Sequence, residues 1–426
     1  MPNPRKSAVR ALVKVDSDGA FSNIILDNVM EQDGLTGADA VLATALFYGV
    51  LERRITIDYI ADRLSKQPVR KQPYLVAAAI RIGIYQLMFM DRIPPFAAIN
   101  ESVNIVKRSK NSRADGYVNA LLRSVERQKS DLIPTDDSPK SVSVRCSAPL
   151  WMVERLSAQY GVEKAVSVFE SMLGRSNVYL RVNTTKTDCD SLARLLASHS
   201  VATEFTDVDG SLRIVGHSGA VERLAGYSEG LFHVQDLSSQ ICAASLDARE
   251  NMRVLDVCAA PGGKSFTVAE IMNGTGEVVS CDLYEHRVKL ISDGAKRLGL
   301  GNFPAQTTDA SVYDPLHGEF DRVLCDAPCP GLGIMGRKPD IKYKSADQIA
   351  DLPDIQYNIL TNAAKYVRAG GRLVYSTCTL LHEENEDVFE RFLSNFPDFC
   401  PVSVRTLLPC DDGTDGFFIA AAERKV

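Results

Sequence analysis

Two rhythms of apolar and polar positions divide this 426-residue chain. Over residues 5–130 the apolar residues recur at helical spacing. Ala8, Leu12 and Val15 share one face, Val41, Leu42, Ala45 and Leu46 form a second stripe, and Leu51, Ile55 and Ile57 follow. Residues 74–90 are apolar nearly all round, as a central buried helix would be, with Pro73 where such a helix starts. Pro94-Pro95 breaks the chain. Ile99, Val103 and Val106 then mark one helix, and Val118, Leu121, Leu122 and Val125 another. No period-two pattern interrupts, so residues 1–128 read as a compact all-helical bundle.

From residue 250 the rhythm alternates between strands and helices. Residues 254–257, 278–281 and 372–377 read as strands, 264–272 and 288–298 as helices, and a weak strand precedes Asp309. Residues 320–325 lead into a short apolar run, Val323-Leu324-Cys325, that stops at Asp326, and Ile355, Ile359, Leu360, Ala363 and Val367 mark a helix stopped by Gly370-Gly371. Residues 416–419 add a late core strand. This predicts a doubly wound parallel sheet, a Rossmann-like α/β domain over 234–426. Between the two regions, 129–144 is polar with two prolines and reads as a linker. Residues 145–233 mix both periods and read as a small α+β subdomain. Its Arg181, on what looks like an edge strand, is a candidate RNA contact.

Composition narrows the class. No run of about 18 apolar residues predicts a membrane span, and the N-terminus lacks the apolar run of a secretory signal. Ten cysteines without a Cys-x-x-Cys pair, and six scattered histidines, predict free thiols in a reducing cytoplasm and no metal site. The net charge of −6 hides an asymmetry: residues 1–130 carry 19 Lys and Arg against 13 Asp and Glu, and the remainder 29 against 41. A basic module on an acidic protein points to a polyanionic partner, with a chance surface excess as the alternative.

The candidate chemistry lies at predicted strand ends. Asp326 and, three residues on, Cys329 precede a Pro/Gly stretch that continues neither strand nor helix, so both sit where open α/β sheets bind ligands. Cys258, Ala259, Ala260, Pro261, Gly262, Gly263 and Lys264 join the first strand to its helix, with small residues that let backbone amides approach an anion. Asp282 ends the second strand, about where a carboxylate takes ribose hydroxyls. The dinucleotide and Walker fingerprints are absent, which favours S-adenosylmethionine, although glycines at such a turn are often only structural.

Three ordered motifs and the front end carry a family resemblance. Asp256-Val-Cys-Ala-Ala-Pro-Gly-Gly-Lys264, Asp326-Ala-Pro-Cys329 and Ser376-Thr-Cys378 resemble the RNA cytosine-5 methyltransferases. Arg81-Ile-Gly-Ile-Tyr85, Ile93-Pro-Pro-Phe-Ala-Ala-Ile-Asn-Glu-Ser-Val103 and Tyr117-Val-Asn-Ala-Leu-Leu-Arg123 are similar to the NusB family of RNA-binding bundles. Together, with His233-Val-Gln-Asp-Leu-Ser-Ser-Gln240 and Arg337-Lys-Pro-Asp-Ile-Lys342, they resemble the Sun (Fmu) family acting on cytosine 967 of 16S rRNA. Pro330 and Tyr343 depart from that pattern, where serine and tryptophan are commoner.

The resemblance implies S-adenosylmethionine as cofactor, with its methionine part at 258–264, its ribose at Asp282, its adenine side near Asp309, and Asp326 beside the reacting centre. From the residues alone Asp309 reads better as a helix N-cap. The resemblance also implies that Cys378 attacks the base while Cys329 assists release; a Pro-Cys thiol attacks in DNA enzymes, which keeps Cys329 as a rival nucleophile. Carbon 5 of cytosine is a poor nucleophile until a thiolate adds to carbon 6, and a protonated Asp326 would stabilise the charge moving toward N3. Lys107, Arg108, Lys110 and Arg113 are expected to contact phosphates, with complementing a helix C-terminus as the alternative role for Lys107 to Lys110. Lys264, Arg337 and Lys342 are expected to grip phosphates flanking an extruded base. Glu383-Glu384-Asn385 either orients the Cys378 loop or caps the next helix. The expected partner is 16S rRNA, naked or in a partly assembled small subunit, bound by a monomer. The alternatives are the same chemistry on tRNA, or a non-catalytic NusB-like RNA-binding or antitermination factor.

Overall fold

A computed structural model describes residues 3–18, 22–174, 177–216 and 220–426. The chain separates into two units, one of residues 1–174 with 335–344, the other of 175–334 with 345–426.

In the first unit the helical stripes fold as α1 (Pro4–Asp18), α2 (Ser22–Asp33), α3 (Gly37–Glu52), α4 (Arg54–Arg63), α5 (Tyr74–Phe89), α6 (Pro95–Lys107) and α7 (Asp115–Gln128). Helix α5 is the central one. Residues from Val76 to Leu87 are buried on every side of it, as its unbroken apolar run requires. Gly49 of α3 lets that helix approach α5 closely, since a Cβ there would lie 2.0 Å from the Tyr85 ring. One charge enters this core. Arg81 of α5 donates to both oxygens of Asp58 (2.7 and 2.9 Å) and to Asp16 (2.7 Å), and Arg54 also holds Asp16. Helices α1, α4 and α5 are thereby fixed together.

The polar stretch 129–144 is not a free linker. Ser138 caps α8 (Pro139–Arg145), and Val142 and Val144 are buried. Thr56 of α4 donates to the Val144 carbonyl, and Ser147 accepts from the Ile55 amide. Helices α9 (Leu150–Tyr160) and α10 (Val162–Ser171) follow in the same unit, so the helical part runs well past residue 145. Two apolar positions in a polar context were too few to reveal that packing from periodicity. Residues 335–344 also belong here. Lys342 and Tyr343 donate to the Glu52 and Leu51 carbonyls, among those that the end of α3 leaves unpaired.

The second unit begins with a four-stranded antiparallel sheet of order β2-β3-β1-β4, from β1 (Val178–Val182), β2 (Ala202–Phe205), β3 (Ser211–Val215) and β4 (Phe232–Val234). Helix α11 (Cys189–Ser198) covers it with Leu192 and Leu196. After α12 (Leu237–Ser245) comes the large sheet, built from β5 (Arg253–Asp256), β6 (Glu277–Asp282), β7 (Ala305–Thr307), β8 (Phe320–Asp326), β9 (Val367–Thr377), β10 (Phe399–Leu407) and β11 (Phe417–Arg424). Its order is β10-β11-β9-β8-β5-β6-β7. Helices α13 (Gly263–Ile271) and α14 (Glu285–Leu298) connect β5, β6 and β7, while α15 (Leu352–Ala364) joins β8 to β9.

Five neighbours, from β9 to β7, are parallel, as the sequence rhythm requires. The expectation of a wholly parallel sheet is corrected at the other edge. Strand β10 follows α16 (Glu386–Asn395), and β11 slots antiparallel between β10 and β9. Only a short turn with α17 (Pro409–Asp412) joins these last two strands, too little for a parallel crossover. The Gly370-Gly371 pair lies inside β9 rather than ending the preceding helix. Among the described residues no helix is long and apolar enough to cross a membrane.

Arg81→Ala is expected to destabilise the first unit by about 3 kcal/mol, near the low end for a broken buried pair because Arg54 still faces Asp16. Urea denaturation followed by a probe in residues 1–174 measures it.

Candidate active site

Strand order reverses between β5 and β8, and the loops leaving their carboxyl ends diverge there. Short backbone bonds fix those loops. The Val257 amide donates to Leu324, the Ala259 amide to Cys281, and the Ala327 amide to Ser376, each at 2.8–3.0 Å. Strands β8 and β9 pair with Asp326 opposite Ser376, so the residues just beyond them meet.

They meet at two sulfurs. The Sγ atoms of Cys329 and Cys378 lie 3.1 Å apart, and both residues are partly exposed. The Gly333 amide donates to the Cys378 carbonyl and closes the loop around them. The hydrogen bond to Cys378, then burial, then the charge of the Cys378 sulfur push the Cys329 thiol well above its ordinary range. Cys281 and Cys325 differ. Both are buried in the sheet core, and burial pushes the Cys281 thiol up to about 11.

Asp326 lies beside the sulfurs with both oxygens engaged. Lys264 Nζ donates to one at 2.7 Å and Ser376 Oγ to the other at 2.8 Å. Burial works against the Lys264 ammonium, yet the Asp326 charge outweighs it, and the lysine is held above its ordinary value. The same ammonium lies 4.9 Å from the Phe417 ring centroid. Lys264 is therefore turned onto Asp326, and the expectation that it grips a phosphate is corrected.

On the other side of the switch point, residues 258–264 wrap the start of α13. Gly262 has φ +110°, and a Cβ there would sit 2.3 Å from the Phe266 ring. The amides of Gly263 and Lys264 belong to the first turn of α13, which a helix leaves unpaired. The buried Gln235 Nε2 has no hydrogen-bond partner, and it lies 3.5 Å from where a Gly263 Cβ would be. Beneath the loop, Ser265 donates to Asp256 at 2.6 Å, while burial raises that carboxyl to about 7. Asp282 ends β6, buried, 3.1 Å from Arg287, which also donates to the Ala260 carbonyl. The Thr308 amide donates to the Asp282 carbonyl and keeps the Asp309 turn nearby. Unpaired amides, an orphaned amide donor and a carboxylate are the groups that the carboxylate and ribose of S-adenosylmethionine require, so the residues fit that cofactor.

Asp309 does not cap a helix. It is exposed, and the Ser311 hydroxyl and amide bond its carboxylate and hold it below its ordinary range. Two expected RNA contacts are also corrected. Arg181 lies on an interior strand, 6% exposed, with Nε on Glu270 at 3.1 Å and Nη1 on the Asp209 carbonyl. Lys342, 4% exposed, donates to the Glu52 carbonyl at 3.0 Å, and burial lowers it to about 8. Neither ammonium nor guanidinium is presented to a phosphate. Arg337 is half-buried. By contrast Lys107, Arg108, Lys110 and Arg113 are all exposed, between the end of α6 and the start of α7. Periodicity missed Gln235, Arg287 and Ser376. Gln235 and Ser376 stood inside quoted motifs, but nothing in the spacing marked their donors.

Residues 243–423 match the 16S rRNA methyltransferase RsmB/F family, 2–127 the NusB family, and 148–217 a ferredoxin-like domain of RsmF/B-like methyltransferases. The probable ribosomal RNA small subunit methyltransferase B of Bacillus subtilis is 35% identical, over 99% of this chain and 98% of its own. The ribosomal RNA small subunit methyltransferase B of Escherichia coli O17:K52:H18 is 31% identical over 99% of both. Among solved structures, a methyltransferase homolog from Pyrococcus horikoshii is 26% identical, with a TM-score of 0.62, over 68% of this chain and all of its own. PH0851 shares the fold over 98% of this chain and 99% of its own, with a TM-score of 0.82 at 24% identity. The matches run along whole relatives, and the chain belongs to the ribosomal RNA small subunit methyltransferase B family as an S-adenosylmethionine-dependent RNA methyltransferase.

Proposed function

We propose that this enzyme methylates carbon 5 of one cytosine in 16S rRNA, the counterpart of cytosine 967, through a covalent bond between Cys378 and carbon 6. The observation that carries the reading is the contact of two thiols, 3.1 Å apart, beside the Asp326–Lys264 pair at the switch point. When bound, S-adenosylmethionine supplies an electrophilic methyl group. Residues 258–264 hold its methionine part, with the first-turn amides of α13 and the Gln235 amide as donors, Asp282 takes the ribose, and Asp309 the adenine side.

The chain's own residues prepare the base. Contact with Cys378 and burial raise the Cys329 thiol, which favours the proton on Cys329 and Cys378 as the sulfur that adds. Addition at carbon 6 drives charge toward N3 of the ring. Asp326 faces that charge with an ammonium 2.7 Å behind it, so the pair can deliver a proton and absorb the negative charge it leaves. After transfer a base takes the proton from carbon 5 and the Cys378–carbon 6 bond breaks, its electrons returning Cys378 to a thiolate. The Cys329 thiol, in contact with the departing sulfur, stabilises that thiolate by a hydrogen bond. A base outside its stack is needed for this enclosure, which favours single-stranded or loop RNA. The four exposed cations from Lys107 to Arg113 supply phosphate contacts in the first unit. Similarity over whole chains named for the small subunit supports 16S rRNA, naked or partly assembled, over tRNA.

Labelled cofactor incubated with deproteinised 16S rRNA, small subunits and a tRNA mixture should label a single cytosine in the ribosomal RNA alone; label in tRNA only would overturn the substrate. Cys378→Ala should lose turnover by at least about 10³-fold while cofactor binding, followed by calorimetry, persists. Cys329→Ala should accumulate a protein–RNA adduct that survives a denaturing gel. Replacing Lys107, Arg108, Lys110 and Arg113 together by glutamine should reduce the slope of log affinity against log salt by about 3, at roughly 0.7 per lost phosphate contact.

A further inference from the structure

Behind the two sulfurs lies a buried polar cluster that the reaction just described does not use. Gln356 of α15, fully buried, donates from Nε2 to the Pro328 carbonyl at 3.0 Å and to Glu384 Oε2 at 2.7 Å. Pro328 immediately precedes Cys329. Glu384, 1% exposed in a single turn after β9, accepts at its other oxygen from the Thr379 hydroxyl, 3.1 Å away. Its backbone carbonyl accepts from the Tyr375 hydroxyl. The neighbouring Asn385, also buried, accepts from the Thr377 hydroxyl at 2.5 Å and donates to the Thr379 carbonyl at 3.2 Å. Threonines 377 and 379 flank Cys378. One side of the cluster therefore grips the chain just before Cys329, and the other grips it on both sides of Cys378.

A buried carboxylate and two buried amides are costly to keep, and Gln356 Oε1 is left without a hydrogen-bond partner; besides tying α15 to the turn after β9, the bonds described run to residues that flank the two sulfurs. The α16 helix gains no side-chain cap from Asn385, whose amide is spent on the cysteine loop instead. Strand register brings the two loops side by side, but neither cysteine lies in a regular element, so the spacing of the sulfurs depends on what holds the loops beyond the strand ends.

We infer that Gln356, Glu384 and Asn385 are positioning residues that hold the Cys329 and Cys378 loops at a fixed separation, so that the Cys329 thiol can hydrogen-bond the Cys378 sulfur as it leaves the base. The inference rests on the proposed two-thiol reaction for its kinetic consequence, but not for its geometric one. A thiol displaced by about 1 Å would cost turnover on the order of 100-fold while cofactor and RNA still bind.

The test uses the full-length enzyme. Glu384→Gln preserves the volume and can still accept from Gln356; Glu384→Ala and Gln356→Met remove the bridge, the latter at nearly constant volume. Circular dichroism and thermal melting select variants that remain folded. The first readout is the rate at which diamide joins Cys329 to Cys378, the two thiols losing two protons and two electrons to the reagent; mass spectrometry of the linked peptides reports it. Gln356→Met and Glu384→Ala should slow that joining by about tenfold or more, because a disulfide tolerates little error in separation, and Glu384→Gln should stay near wild type. The second is kcat and KM on 16S rRNA: the bridge-breaking variants should lose kcat by about 10- to 100-fold with KM for RNA and cofactor nearly unchanged. Folded Gln356→Met and Glu384→Ala that join their thiols at the wild-type rate would overturn the inference. Wild-type enzyme that methylates no RNA yet shows the joining defect in the variants would overturn the reaction and leave the positioning role standing.

Discussion

Two parallel strands, β5 and β8, lie side by side while the chain departs from their carboxyl ends toward opposite faces of the sheet. That divergence is a geometric consequence of where the strand order reverses, and it opens a crevice that no side chain has to create. Everything chemical hangs on it. The loop after β5 turns into α13 and leaves first-turn amides unpaired, and the loop after β8 carries Asp326 and Cys329. Because β9 pairs with β8 in register, Cys378 arrives beside Cys329 without either residue lying in a regular element.

The site is then tuned by burial and pairing. Desolvation alone would strip the charge from Lys264 and raise every acid nearby. Lys264 instead keeps its charge because Asp326 sits 2.7 Å away, whereas Asp256, deeper under the loop with a serine hydroxyl as partner, is raised to about 7. Two carboxyls on neighbouring strands thus take different parts. Asp326 sits beside the sulfurs, and Asp256 anchors the start of α13 through Ser265. Of the two thiols in contact, Cys329 is raised by its hydrogen bond to Cys378 and by burial.

In the first unit the organising charge is structural. Arg81 is buried among apolar neighbours only because Asp16 and Asp58 neutralise it, and the three helices that supply those groups are held in one arrangement. Lys342 and Tyr343 do comparable work at the end of α3, giving donors to carbonyls that the helix cannot pair itself. Lys342, expected to grip a phosphate, thus belongs to the interior.

The periodicity of the chain by itself determined the helical bundle and the alternating sheet, because burial of one face imposes 3.6 or 2.0 spacing whatever covers that face. The strand-end loops were legible too: an apolar run halted by a carboxylate and then by Pro and Gly at 328–331 has few other places to lie in an α/β sheet. Tertiary structure alone decided which distant segment covers each polar group. Arg181 and Lys342 looked like solvated cations because Glu270 and the Glu52 carbonyl are far away in sequence, and Gln356 carried no sign of the Pro328 carbonyl it would meet. The antiparallel insertion of β11 was hidden for the same reason. A strand's pattern records that both its faces are buried, but its direction depends on the length and path of the chain that returns it to the sheet.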